Sequence, residues 1–157
     1  MSALSEQTRE RIRAEFAKYP NKRAATLPAL HIVQDEHRQI STEALREIAA
    51  LLELHPAEVN DTLSFYGFFR DASAPLGKHR VWICRSLSCA LRGGQELLAE
   101  IANRLKVKPG ATTADGKITL EFAECLGACE GAPCLLVNDE CHMNMTADST
   151  TKLIQEL

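Results

Sequence analysis

Four of the six cysteines fall into two short-spaced pairs, Cys84-x4-Cys89 and Cys125-x3-Cys129. Each pair follows a predicted strand and enters a loop, so the strand ends can act as fixed anchors from which four thiolates converge. The loop residues Arg85-Ser86-Leu87-Ser88 and Leu126-Gly127-Ala128 include small side chains that let backbone N–H groups approach sulfur, and such hydrogen bonds help set a cluster's potential. Metal ligation suits both features. Iron–sulfur clusters and structural zinc both accept four thiolates, and the spacing alone leaves both open, with disulfide-bonded or unligated cysteines as a third reading. The close run of three cysteines typical of plant ferredoxins is absent. So is Cys-x-x-Cys, which argues against a dithiol oxidoreductase.

The elements that must position these thiols are carried by a chain of 157 residues, 45% hydrophobic and 25% charged. That is ordinary for one globular domain or two small ones. A chain of this length buries roughly 70% of its unfolded surface, so its core needs no disulfide staples. A net charge of -3 offers little to a phosphate backbone or an anionic membrane, which sets nucleic acid aside as a partner. The longest apolar runs, Ala49 to Leu52 and Cys134 to Val137, fall far short of the roughly 20 residues of a membrane-spanning helix, so direct membrane insertion is not expected. Met1 to Gln7 has neither a basic start nor an apolar stretch, and the expected compartment is the reducing cytoplasm. Cysteines kept there point to metal over disulfides.

To about residue 70 the pattern is helical. Ile12 and Phe16 share a face of a segment that stops at Pro20-Asn21. A second helix is predicted over residues 24–34, with Pro28 in its first turn. Ser41 is a predicted N-cap before Leu45, Ile48, Ala49 and Leu52 at amphipathic spacing. His55-Pro56 opens a fourth helix ending at Gly67, with Val59, Leu63 and Tyr66 on one side. Residues 71–77 read as a linker.

Beyond it, Arg80 to Ile83 has strand composition, and Gly93-Gly94 precedes Leu97, Leu98, Ile101 and Leu105 at helical spacing. Asp115-Gly116 is a turn signal, after which Ile118, Leu120 and Phe122 alternate with polar residues as in a half-buried strand. A further strand covers Cys134 to Val137, Asn138-Asp139 turns the chain, and Thr146 caps a last helix with Leu153, Ile154 and Leu157. The expected class is α+β or α/β, a helical region over 1–72 followed by an α/β domain over 78–157.

Particular residues carry a family likeness. Lys78-His79-Arg80-Val81-Trp82-Ile83-Cys84 with Cys89, Thr112-Thr113-Ala114-Asp115-Gly116-Lys117, Glu124-Cys125-Leu126-Gly127-Ala128-Cys129 and Gly131-Ala132-Pro133 resemble the thioredoxin-like [2Fe-2S] subunit of respiratory complex I, the NuoE family. Tyr19-Pro20, Leu27-Pro28-Ala29-Leu30-His31, Gln34-Asp35, Pro56-Ala57-Glu58-Val59 and Ser64-Phe65-Tyr66 resemble that family's helical N-terminal region. The resemblance spans nearly the whole chain, and its motifs are specific in combination.

It implies an N-terminal helical bundle followed by a thioredoxin-like domain that holds one [2Fe-2S] cluster through Cys84, Cys89, Cys125 and Cys129. It further implies one-electron transfer with the FMN of a NuoF-type flavoprotein that binds NADH, within a larger redox complex. The subunit would be cytoplasmic, peripheral to the inner membrane through that complex. The chain has no Gly-x-Gly-x-x-Gly, so FMN and NADH fall to the partner, and the chain alone should not oxidise NADH. Within the same class, the equivalent subunit of an NAD-linked hydrogenase or formate dehydrogenase would keep the same ligands. A zinc-stabilised interaction module is the alternative from another class.

Other residues carry smaller expectations. Glu121, Glu124 and Glu130 flank the second cysteine pair and read as solvated carboxylates, or as charges that lower a nearby cluster's potential. Cys134 and Cys141 read as buried small hydrophobes, with substitution as a ligand or oxidation of one of them as the alternative; Cys134 stands where the family would have an apolar residue such as methionine. His142 next to Cys141 has no second histidine at matching spacing for a mixed Cys/His centre, and the other histidines read as caps, surface or core. Phe65, Tyr66, Phe68 and Phe69 are more aromatics than one helix face can bury, leaving some to meet a partner. Pro133 lies where thioredoxin-like folds place a cis proline.

Overall fold

The computed structural model describes residues 3–157. Its contacts divide the chain into two units, one ending at Pro75 and the other beginning at Leu76.

The first unit is helical. Helix α1 (Glu6–Glu15) starts where the Ser5 hydroxyl accepts the Thr8 amide at 3.0 Å. Single 3-10 turns at Phe16–Lys18 and Lys22–Ala25 lead to α2 (Thr26–His37), which begins and ends two or three residues later than the spacing predicts. The shift comes from Asn21, whose side chain accepts the Ala24 amide and caps a 3-10 turn first. Helix α3 (Thr42–Leu52) opens on Ser41, as expected, and buries Leu45, Ile48, Ala49 and Leu52. Helix α4 (Pro56–Phe65) has proline at its first position, with the His55 amide donating to Glu58 and the His55 ring accepting from Ala57.

Helix α4 ends two residues before Gly67, because the next segment is held by α2. Buried Gln34 donates to the Phe68 carbonyl at 2.9 Å and accepts from the Arg70 amide at 2.6 Å. This turn splits the aromatic run. Phe69 enters the core, Phe68 stacks on His31, and Phe65 is left 79% exposed.

The second unit is a five-stranded mixed sheet of order β2-β3-β1-β4-β5: β1 (His79–Cys84), β2 (Ala111–Thr112), β3 (Ile118–Ala123), β4 (Leu135–Val137) and β5 (Glu140–His142). Central β1 runs parallel to β3, from His79 opposite Ile118 to Cys84 opposite Ala123, and antiparallel to β4, with Ile83 opposite Leu135. A short helix α5 (Leu87–Leu91) follows β1 and α6 (Gly94–Leu105) follows it; α7 (Ala147–Gln155) closes the chain behind a Thr146/Ser149 capping box. Leu97 and Ile101 of α6 pack into a core with Val81, Ile83, Leu120 and Leu135, flanked by Leu153 and Ile154 of α7. Each such buried side chain contributes about 1.5–3 kcal/mol.

Strand β3 departs from simple alternation. Ile118 to Glu121 are all buried, whereas Phe122 is 44% exposed. The polar positions are covered because each has a partner: the Thr119 hydroxyl accepts the Gly77 amide at 2.7 Å, and Glu121 accepts from the Trp82 indole N–H at 2.6 Å and pairs with Arg80. Glu121 is therefore a buried ion-pair partner and not a solvated carboxylate. The Arg85 guanidinium lies 3.8 Å from the centroid of the Phe122 ring and makes an ion pair with exposed Glu124.

Candidate metal centre

The mixed sheet brings the cysteine-bearing segments to one end. Because β1 and β3 are parallel and β4 is antiparallel to β1, the exits of β1 and β3 lie at the end of the sheet where β4 enters. Cys84 is the last residue of β1, Cys125 lies just beyond β3, and Cys134 immediately precedes β4. Two backbone bonds continue the ladders past the strands: Arg85 N–H to the Ala123 carbonyl at 2.9 Å, and Cys84 N–H to the Cys134 carbonyl at 3.1 Å.

Cys89 does not lie in a loop. It sits in α5, a single helical stretch in which Leu87, Ala90 and Leu91 are good helix formers, too short to display a period. Gly94, at the start of α6, is packed against the carbonyl oxygens of both Cys84 and Cys89. Cys129 begins a 3-10 turn ending at Gly131, and the Ala132–Pro133 peptide bond is cis. Gly131 lies against the Met143 side chain, and the Asn144 and Met145 amides donate to the Gly131 and Pro133 carbonyls. The turn is thereby tied to the segment after β5.

The sulfurs form two groups. Cys84, Cys89 and Cys134 are buried with all three sulfurs within 4.8 Å of one another, Cys89 and Cys134 being 3.7 Å apart. Cys125 and Cys129 are exposed and 3.6 Å apart. Two thiolates on one tetrahedral metal, with bonds of about 2.3 Å, stand about 3.8 Å apart, so both spacings suit a shared ion. The groups adjoin: the Leu126 amide donates to the Cys84 sulfur, and the Ser88 hydroxyl to that of Cys129. Gly127 N–H also points at the Cys125 sulfur, 3.4 Å away.

These donors act on charge. Burial pushes the Cys84 thiol up, but the Ser86 and Leu126 amides together with the Cys89 and Cys134 thiols outweigh it and hold the group below the ordinary thiol range. Burial dominates at Cys89, which is raised despite the Cys134 amide. Cys129 is raised by the adjacent Cys125 sulfur, and burial pushes Cys134 up to about 12.

The structure thus brings Cys84 together with Cys89, and Cys125 together with Cys129. It adds Cys134, whose burial was legible from its apolar strand but whose sulfur contact was not. The signal is the register: once Ile83 opposes Leu135, residue 134 opposes Cys84. Cys141, in contrast, is exposed, because β5 is an edge strand whose burial stops at its pairing with β4. Glu130 is exposed, and no helix among the described residues is long and apolar enough to cross a membrane.

Comparison with known proteins identifies the family of the chain. Residues 12–157 match the thioredoxin-like [2Fe-2S] ferredoxin family. An NADH-quinone oxidoreductase subunit from Rhizobium meliloti is 38% identical over 147 residues, covering 94% of this chain and 86% of the relative. Another, from Thermus thermophilus, is 42% identical over 127 residues, covering 80% of this chain and 69% of the relative. Among solved structures, an NAD+-reducing [NiFe]-hydrogenase in the H2-reduced state superposes with a TM-score of 0.73 at 25% identity, over 83% of this chain and 22% of the hydrogenase chain. With both the helical region and the cysteine-bearing sheet included in the match, the chain belongs to the thioredoxin-like [2Fe-2S] ferredoxin family.

Proposed function

We propose that this chain is the [2Fe-2S] electron-transfer subunit of an NADH:quinone oxidoreductase, exchanging single electrons with the FMN of a NuoF-type flavoprotein. The observation that carries the reading is the division of the sulfurs into two adjoining groups, a buried one holding Cys84 and Cys89 with Cys134 within 4.8 Å of one another and an exposed one in which Cys125 and Cys129 stand 3.6 Å apart. A single zinc would draw four thiolates into one mutually close set. A buried group and an adjoining exposed pair, each offering two of the four proposed thiolates, suit a centre with two irons.

In this reading Cys84, Cys89, Cys125 and Cys129 hold the cluster, in the domain spanning 78–157, and the region 1–72 is a helical appendage to it. The bound cluster supplies reversible one-electron storage. The protein does the rest. The Ser86 and Leu126 amides stabilise negative charge on the Cys84 sulfur, and the Cys134 amide does the same at Cys89. Burial keeps water from the Cys84 and Cys89 side, while Cys125 and Cys129 face outward, the side from which an electron can be exchanged with a partner.

A docking surface supports the partner. Leu87 and Leu91, one helical turn apart on the helix that carries Cys89, are 75% and 79% exposed, and exposed Phe122 lies near the end of the strand leading to Cys125. NADH and FMN belong to the flavoprotein, and the complex is the cytoplasmic assembly through which this subunit meets the inner membrane. The equivalent subunit of an NAD-linked hydrogenase is the second reading, favoured by the hydrogenase likeness; a formate dehydrogenase would use the same ligands.

The test is visible absorption of the anaerobically purified chain, low-temperature EPR after dithionite reduction, and iron, sulfide and zinc assays on one sample. A red-brown chain with about two irons and an EPR signal on reduction is expected. A colourless chain with about one zinc overturns the reading in favour of an interaction module. The isolated chain should show no NADH oxidation until the flavoprotein is added, and turnover without it would refute the division of labour.

A further inference from the structure

Five of the six thiols meet at one end of the sheet, one more than a four-ligand centre uses. The surplus thiol is Cys134. Its sulfur lies 3.7 Å from that of Cys89, in hydrogen-bonding contact, with both residues 1% exposed. If Cys89 is a ligand, its sulfur carries no proton, and the one proton in the contact can only be on Cys134.

We propose that Cys134 is a potential-tuning residue that donates its S–H to the ligand sulfur of Cys89. The proposal rests on the cluster reading above. It concerns a residue outside the ligand set, at a position for which that reading requires only an apolar side chain. When an electron arrives at the centre, negative charge on the ligand sulfurs grows, and a donor aimed at one of them is worth more in the reduced state than in the oxidised state. Cys134 therefore raises the reduction potential. No bond is made or broken, and the proton stays on the Cys134 sulfur throughout.

The backbone provides an internal control. The Cys134 amide also donates to the Cys89 sulfur, and its carbonyl accepts from the Cys84 amide at 3.1 Å. Cys134→Ala removes only the S–H and leaves both backbone bonds in place. Cys134→Ser replaces it with an O–H, a stronger donor of similar size.

The experiment is an EPR-monitored redox titration of the full, cluster-loaded chain and its two variants, with iron and sulfide measured on each. In Cys134→Ala the ratio of reduced to oxidised centre, poised at the wild-type midpoint, should fall by about threefold to tenfold, the scale of one weak hydrogen bond to a charged group. Cys134→Ser should restore the wild-type ratio or exceed it. Electron–nuclear double resonance of the reduced protein in D2O should show an exchangeable proton coupling that Cys134→Ala loses. An unchanged midpoint in Cys134→Ala overturns the proposal, as does a serine variant that behaves like alanine. Loss of iron from Cys134→Ala also overturns it, since Cys134 would then be a ligand. A wild-type chain with no iron at all would instead strike the cluster reading itself.

Discussion

A Cβ placed on Gly94 would lie 2.9 Å from the carbonyl oxygen of Cys84 and 2.9 Å from that of Cys89. Both obstacles are backbone atoms of the cysteine segment, so neither can rotate away. The first residue of α6 must be glycine for the helix to seat behind the two thiols. Gly94→Ala should destabilise the chain by about 1–3 kcal/mol, the usual cost of overpacking. That would appear as a fall in Tm of roughly 2–12 °C by circular dichroism, accompanied by faster loss of iron on dilution. An alanine variant with unchanged Tm and iron retention would show that the contact is not tight.

The ligand set makes a sharper prediction. Cys84→Ser and Cys125→Ser should each lose the cluster or shift its absorption and EPR, one from the buried side and one from the exposed side. Cys134→Ala should keep about two irons per chain. A normal spectrum in Cys84→Ser would remove that residue from the centre.

Much of this centre could be read from residue types, and the unread part has identifiable causes. Ser41, Pro56 and Thr146 mark helix starts because capping is local chemistry, independent of the rest of the fold. Strand β1 and the two short-spaced cysteine pairs are equally local. By contrast, alternation in β3 would place Thr119 and Glu121 in water, yet this strand lies inside the sheet and both residues find buried partners across it. The same cause hides the Cys89–Cys134 contact, which joins residues 45 apart in sequence and exists only through the pairing of β1 with β4. Helix α5 has five residues, too few for periodicity to register.

The buried carboxylate of Glu121 should matter for stability far more than for electron transfer. Its side chain is 9% exposed and that of Arg80 12%, and the Trp82 indole donates to the same oxygen. Glu121→Ala would leave a buried guanidinium without this counter-charge, at a cost of about 3 kcal/mol. Chemical denaturation should register it as a lower midpoint, with iron content at neutral pH unchanged in folded protein. A midpoint equal to wild type would mean the pair contributes nothing net.

Docking can be separated from cluster chemistry through α5. Leu87→Asp and Leu91→Asp place charge on an exposed apolar ridge without entering the core, so spectrum and Tm should stay near wild type. Binding to the flavoprotein, followed by calorimetry or co-purification, should weaken by about tenfold or more, the effect of losing one well-buried interface side chain. Undiminished binding by both variants would move the interface elsewhere.

The parallel pairing of β1 with β3 also decides what brings the two cysteine pairs to one place. Cys84 and Cys125 are 41 positions apart and become neighbours only after that pairing has closed the intervening crossover through α6. A nascent chain lacking the crossover presents two detached dithiols, open to oxidants and stray thiophilic ions. In the proposed four-cysteine centre, the full ligand set therefore exists only in a chain whose β1 and β3 have paired.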